Sequence, residues 1–261
     1  MDLTLKGKRA LVGGSSKGIG RAAAIEIAAL GASVCLTART ESLLREVTRE
    51  LDTSMGQQHR YLVVDYDDLS QVESAIRQLS ADAPIHILVN NSGGPAAGPI
   101  REAQPDAFIA AYRRHLLANH RLAQLLLPGM IEAGYGRIVN IISTSVKEPI
   151  PNLGVSNTTR GAVASWARTL ADEVAPHGIT VNNVLPGSTD TGRMGELLQS
   201  MADRNQSSLP EERTKMERSI PMGRLARPAE IANVIAFLAS PAASYLTGES
   251  IRVDGGRTRS V

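Results

Sequence analysis

The stretch Gly13-Gly14-Ser15-Ser16-Lys17-Gly18-Ile19-Gly20 follows the apolar run Arg9-Ala10-Leu11-Val12 and opens a segment with helical spacing. Glycines at such a junction let the backbone turn sharply and come close to a diphosphate. The helix behind them offers free N–H groups and its positive dipole end. Tight turns need glycine anyway, so the loop gains meaning from its place between a first strand and a first helix. Its spacing, Gly-x-x-x-Gly-x-Gly, differs from the commoner dinucleotide fingerprint. The second apolar run ends in Thr37-Ala38-Arg39-Thr40, with no carboxylate before Glu41. An acid there would bind a ribose 2′-hydroxyl and repel a 2′-phosphate. Arg39, with Lys17 in the glycine turn, suits the phosphate. Either cation alone reads equally well as a solvated surface charge. The two together, with the acid absent, favour NADP(H) over NAD(H).

These residues need a frame, and the apolar pattern supplies one. Strand-like runs at Arg9–Val12, Ser33–Thr37, Tyr61–Val64, Ile85–Val89, Arg137–Ile142, Thr180–Val184 and Ser250–Val253 alternate with helical patterns. Ile19, Ala23, Ile27 and Leu30 mark a helix over about Gly18 to Leu30, and Leu43, Leu44, Val47 and Leu51 mark the next. Ser70-Gln71-Val72-Glu73 offers a capping box for a third. One long helix is expected from Asp106 to Ala133, another from Leu153 to Ala175, and a shorter one from Glu230 to Leu238. Such alternation implies right-handed crossovers and a parallel sheet covered on both faces. The fold class expected is α/β: a single-domain Rossmann-type doubly wound parallel sheet of about seven strands over residues 1–261. The polar segment Gly192 to Arg218 contains a second capping box, Ser208-Leu209-Pro210-Glu211. It reads as a helical lid insertion, about 190–220, or as a plain surface excursion.

Composition narrows the partners. The chain has 261 residues, 28 Lys and Arg against 26 Asp and Glu, and 3% aromatic residues. No basic stripe and no stacking surface for nucleic acid is visible. The apolar stretches are too short to cross a membrane, and Met1 to Gly7 lacks a signal-peptide pattern. The one cysteine, Cys35, sits in an apolar run and reads as a buried small hydrophobe. A cytoplasmic location is expected.

The same residues resemble the short-chain dehydrogenase/reductase family over essentially the whole chain. Gly14-Ser15-Ser16-Lys17-Gly18-Ile19-Gly20 is similar to its glycine motif, and Asn90-Asn91-Ser92-Gly93 to its Asn-Asn-Ala-Gly motif. Asp65 matches the acid that contacts adenine, and Pro186-Gly187-Ser188-Thr189-Asp190-Thr191 the loop that holds the nicotinamide amide. Pro221 to Arg224, Pro228 to Ala232 and Asp254-Gly255-Gly256 match its C-terminal landmarks. The branch most resembled contains 3-oxoacyl-carrier-protein reductases. The resemblance implies hydride exchange between nicotinamide and a carbonyl or alcohol carbon. It also implies a homotetramer, or a dimer, built on the Trp166 helix and the long helix before the fifth strand. Its cofactor residues would be Gly14, Ser16, Lys17, Gly18, Ile19, Gly20, Arg39, Asp65, Asn91, Arg160, Pro186, Gly187 and Thr191.

The family's proton-handling residues are where the likeness breaks. Ser143 matches the serine that stabilises the substrate oxygen. The tyrosine expected thirteen residues later is Ser156, the lysine four beyond it is Arg160, and the helix asparagine is His115. No tyrosine occurs between Tyr135 and Tyr245, so a register slip does not restore it. A serine hydroxyl is a far weaker acid than a phenol of pKa about 10. An arginine can bond ribose hydroxyls but cannot relay a proton. Losing a positioned acid costs roughly 10²–10⁴-fold in rate. His115 is the leading surrogate, because imidazole normally titrates near neutral pH. Lys147 and Glu148 on the following loop are alternatives. So is Tyr112, one helical turn before His115. Three readings stay open: an NADP(H)-dependent oxidoreductase with a non-standard proton donor, a catalytically inactive NADP(H)-binding sensor or regulatory subunit, and a pocket turned to internally recycled epimerisation or elimination.

Overall fold

In the computed structural model, which describes residues 1–260, the chain alternates strand and helix from end to end. The first half runs β1 (Arg9–Gly13), α1 (Gly18–Ala29), β2 (Ser33–Ala38), α2 (Glu41–Glu50), β3 (Arg60–Val63), α3 (Leu69–Ala81) and β4 (Ile87–Asn90). The second half runs α4 (Pro105–Tyr112), α5 (Ala118–Glu132), β5 (Gly136–Ile141), α6 (Gly154–Val174), β6 (Ile179–Pro186), α7 (Gly192–Asn205), α8 (Leu209–Arg218), α9 (Pro228–Ala239) and β7 (Ser250–Val253). All seven strands lie parallel in one sheet of order β3-β2-β1-β4-β5-β6-β7. The chain builds outward from β1 to β3, then returns to place β4 on the other side of β1. That reversal opens a crevice at the carboxyl ends of β1 and β4, where ligands of such sheets bind.

Strand side chains alternate between faces, so each strand feeds two cores. Ala10 and Val12 join Ile27, Leu44 and Ile235 beneath α1, α2 and α9. Leu11 joins Leu88, Val72, Leu122 and Val181 beneath α3, α5 and α6. Cys35 is buried in this second core, as its apolar run suggests, and burial pushes its thiol up to about 12.

Three local expectations are corrected. The cap of α3 is Asp68, whose side chain accepts from Ser70 N and Gln71 N, so Ser70 is inside the helix rather than its cap. A carboxylate two residues earlier wins because it bonds two free N–H groups and carries the charge the helix end favours. The long helix is not continuous: a π turn, Arg113–Leu117, separates α4 from α5 and contains His115. Periodicity alone cannot reveal such a turn, since it inserts one residue without breaking the helical appearance. The strand expected at Ile85 begins at Ile87. The box at Ser208 forms as expected, with Ser208 Oγ accepting from Glu211 N and Glu211 accepting from Ser208 N at 2.9 Å.

Across the second half of the sheet the strands are tied through side chains as well as backbone. Asn90, Asn140 and Asn183 are register neighbours on β4, β5 and β6, and Ser250 continues the row on β7. Asn90 Nδ2 donates to Asn140 Oδ1 at 2.8 Å, Asn140 Nδ2 to Asn183 Oδ1 at 3.0 Å, and Asn183 Nδ2 to Ser250 Oγ at 3.1 Å. All three amides are buried. Replacing Asn140 with leucine strands the Asn90 amide and the Asn183 carbonyl, each at a cost of about 1–3 kcal/mol. Asn140→Leu is therefore expected to lower the urea midpoint of unfolding by the equivalent of at least about 2 kcal/mol with an unchanged m-value. A neutral effect would mean the row contributes nothing.

Candidate active site

A cleft of about 360 Å³ lies at the switch point. Of the residues expected to hold a nucleotide, Gly14, Ser16, Lys17, Gly18, Ile19, Arg39, Asp65, Asn91 and Thr191 line it. The glycines are required for two reasons. Gly14 and Gly18 sit at φ +54° and +60°, the left-handed region. At Gly13 and Gly20 a Cβ would meet Asn91 O at 2.6 Å and Asn91 Nδ2 at 2.7 Å. Asn91 clamps the turn, donating from Nδ2 to Gly13 O at 3.1 Å and Gly14 O at 3.3 Å. Ser15 pins it to β2: its N–H donates to Thr37 O at 3.2 Å and its Oγ accepts from Thr37 N at 3.0 Å. Thr37 Oγ1 in turn lies 2.7 Å from the Tyr66 hydroxyl, whose burial pushes the phenol up to about 12. Ser15 and Tyr66 escaped the sequence reading. Their contacts span 22 and 29 residues, and no local pattern announces them.

The charges fit an anionic guest. Helix α1 starts at the turn with no side-chain cap and no acid in its first turn, which leaves its leading N–H groups free. Lys17 and Arg39 are exposed on the cleft wall, and neither has an acidic partner among the described residues. Asp65 is half-buried, with its N–H on Gln71 Oε1 at 2.8 Å and its Oδ1 accepting from Asp67 N at 3.1 Å. Thr191 caps α7 through Met194 N, and its Cγ2 would stand 3.4 Å from a Cβ at Gly18, so the two walls meet there. Pro186 and Gly187 do not line this cleft. Gly187 is squeezed against Asp254, where a Cβ would fall 2.6 Å from its Cα.

Ser143, Ser156, Arg160 and His115 do not line it either. Ser143 follows β5 and its Oγ accepts from Ser145 N at 3.1 Å. Ser156 and Arg160 lie four residues apart on α6, Ser156 half-buried and Arg160 buried. Arg160 Nη1 donates to Ile141 O at 3.1 Å, while its Nε has no partner. Burial, then the charge of Arg193, lowers its pKa to about 10. His115 is 1% exposed, with Nδ1 2.8 Å from Ser92 Oγ and Nε2 unpartnered. Its pKa is pushed down to about 2 by burial first, then by the positive charges of Arg160, Arg114 and Arg193. The expectation that this ring titrates near neutral pH is thus corrected: it is neutral throughout the physiological range. Tyr112 is half-buried, and the π turn that follows it removes the regular spacing that placed it on one face with His115. Lys147 and Glu148 are exposed on the loop after Ser143. Arg114 and Arg193 line the cleft but were not singled out in the sequence, where they are two among 28 basic residues.

The lowered His115 pKa has a consequence for stability. The unfolded chain takes up a proton near 6.5 and the folded ring only near 2. Stability therefore falls as pH drops below about 6.5, by up to roughly 1.4 kcal/mol per unit. His115→Gln is expected to flatten the profile of urea midpoints between pH 6.5 and about 4.5. His86, lowered to about 4 by burial and by Lys8 and Arg9, has the same sign and accounts for residual slope. An unchanged slope in the variant would place the proton elsewhere.

With the cleft described, similarity to known proteins adds the family. The model of the enoyl-(acyl carrier protein) reductase family matches residues 14–258. The 3-oxoacyl-[acyl-carrier-protein] reductase FabG of Pseudomonas aeruginosa is 34% identical over 258 residues, covering 97% of this chain and 98% of the relative. L-sorbose reductase from Gluconobacter frateurii, solved with NADPH and L-sorbose, superposes with a TM-score of 0.93 at 31% identity over the full length of both chains. YwfH, an NADPH-dependent reductase involved in bacilysin biosynthesis, gives a TM-score of 0.91 at 27% identity over 97% of this chain and 99% of its own. The glycine turn at the switch point, the parallel order of the sheet and these full-length similarities agree: the chain belongs to the short-chain dehydrogenase/reductase family of oxidoreductases.

Proposed function

We propose that the protein is an NADP(H)-dependent oxidoreductase of a small carbonyl or alcohol substrate, working without the family's usual proton donor. The observation that carries the cofactor choice is the pair Lys17 and Arg39, unpaired on the cleft wall where β2 ends without an acid. The similar sorbose reductase and YwfH are described as NADPH enzymes, which supports the same choice. Gly14, Ser16, Gly18 and Ile19 cradle the diphosphate, with Gly20 packed behind them against Gly14 O, Asp65 faces the adenine side, and Thr191, at the end of the Pro186-to-Thr191 loop, reaches the nicotinamide amide. When bound, the nicotinamide supplies the hydride.

The chain's own residues handle the substrate oxygen. Ser143 donates a hydrogen bond to it, and Ser156 adds a second from α6. Arg160 bonds ribose hydroxyls and stays charged at every working pH, since even its lowered pKa is about 10. His115 cannot hold a spare proton at pH 7, so it acts as a neutral hydrogen-bonding ring oriented by Ser92. The proton for the product alcohol then comes from solvent, through hydroxyls too weak to be fast acids. This slow delivery is also what favours the second reading, a nucleotide-binding sensor in which no turnover occurs. Helices α7 and α8 act as a lid. It is knitted by Arg213 to Asp190 and by the buried Glu212, which accepts from Ser207 and Lys215. The α4–α5 and α6 faces form a homo-oligomer contact.

Two measurements test this. Arg39→Ala should raise the NADPH dissociation constant roughly tenfold or more and leave NADH nearly unchanged; equal losses would remove its phosphate role. Ser156→Tyr with Arg160→Lys should raise turnover of an activated ketone, followed by loss of NADPH absorbance, by about 10²–10⁴-fold. Loss of an existing activity would mean that the chemistry has been rebuilt around other groups. Tight NADPH binding with no oxidation in a single turnover, in wild type and double variant alike, would establish the sensor.

A further inference from the structure

The lid leaves the sheet through residues 188–191, which lead into α7, and returns through residues 219–226, which follow α8. The two leads are laced together: Ala226 N donates to Ser188 O at 2.9 Å, and Asp190 N to Ala226 O at 2.8 Å. The turn after β7, Asp254 to Thr258, is wedged against both. It is folded on the Asp254 carboxylate, which accepts from Gly256 N at 3.0 Å and from Thr258 N at 2.9 Å. Gly255 O accepts from Met222 N at 3.2 Å, and a Cβ at Gly255 would fall 2.8 Å from Ile220 Cγ2. From this turn Arg257 reaches into the fold, and its Nη1 donates to Ser188 Oγ at 2.9 Å. Ser188 is 6% exposed, and its hydroxyl donates onward to Met216 Sδ on α8 at 3.2 Å. One guanidinium thus sets the direction of a buried hydroxyl that joins the lead-in loop to the second lid helix. Three residues beyond Ser188 stands Thr191, which lines the cleft and caps α7 through Met194 N.

Arg257 does not line the cleft, so whatever it does there passes through Ser188. Its side chain is half-buried, and no ion pair among the described residues includes it. Folding a long side chain inward costs rotamer freedom, and an arginine with no task stays in solvent. We propose that Arg257 is a positioning residue for the nicotinamide half of the nucleotide. From the turn after β7 it sets Ser188, Ser188 sets the loop as far as Thr191, and Thr191 meets the nicotinamide amide. Lys17 and Arg39, which receive the adenosine half, follow β1 and β2, across β4 and β5 from the loop after β6. The two halves are therefore held by separate parts of the chain. A small error of placement at the reacting end costs far more in rate than in binding, which gives such a strut its use. The inference rests on the oxidoreductase reading and adds to it a residue that acts from outside the cleft.

Two probes of the full chain test it: NADPH, and adenosine 2′,5′-bisphosphate, which carries only the adenosine half. Arg257→Gln is expected to weaken NADPH about fivefold or more and the half-nucleotide by less than about twofold. Ser188→Ala should do the same, and the double variant should bind no more weakly than either single one, because both residues act through one bond. Arg257→Lys should recover part of the loss. Amide hydrogen exchange supplies a readout that needs no ligand. In Arg257→Gln, residues 188–194 are expected to exchange faster while β1 and α1 keep their rates, which separates a local loosening from a general loss of stability. Equal losses for both probes, additive losses in the double variant, or unchanged exchange at 188–194 would each overturn the inference. Should the wild-type protein bind neither probe, the cofactor reading fails, and the exchange at 188–194 alone decides whether Arg257 holds the loop.

Discussion

The row of buried amides through Asn90, Asn140, Asn183 and Ser250 fixes how the working end of the molecule is assembled. Backbone pairing alone would hold β4 to β7 side by side. The side-chain row also forbids slippage, because a shift by one residue would bury unpaired amides in a dry sheet. Each of the three amides lies just before a loop at the carboxyl end of the sheet. Asn90 precedes Asn91-Ser92-Gly93, Asn140 stands three residues before Ser143, and Asn183 three before Pro186. The polar cost is placed where register matters most, and the loops inherit the accuracy of the strands.

Charge divides the site into two ends. At the end of β1 and β2 the cations are exposed and sit beside free helix N–H groups, a setting for phosphates that arrive with their own hydration. On the α6 side, Arg160 is stripped of water, and burial first, then the neighbouring positive charges, keep His115 neutral. The positive charges there oppose a further proton and favour a negative charge, while burial opposes both.

Much of this could be read from the chain. Alternation of apolar runs gave the strands, and the glycine turn followed by Arg39 pointed to residues that line one wall of the cleft, because both signals are local. What stayed hidden was long-range or depended on burial. Tyr66 and Ser15 act across the gap between strands. Asn91 turned out to brace the glycine turn through its side chain. The protonation state of His115 depends first on its burial and then on charges that include Arg160 and Arg193, which lie far along the chain with no spacing rule connecting them. Asp68 outcompeted Ser70 as a cap by two residues, a difference within the usual ambiguity of helix ends.

The π turn between α4 and α5 has a wider meaning. One additional residue offsets the two halves of that long rod by about 100°. Ahead of it, α4 rests on α6, beside the site; beyond it, α5 rests on α3, in the second core. A regular helix would force both contacts onto one continuous stripe, so that any change of side chain on one neighbour would constrain the other. With the offset, the two stripes are independent. The stretch packed on α6 is thereby freed from the orientation demanded of the stretch packed on α3, and His115 sits at the joint between them.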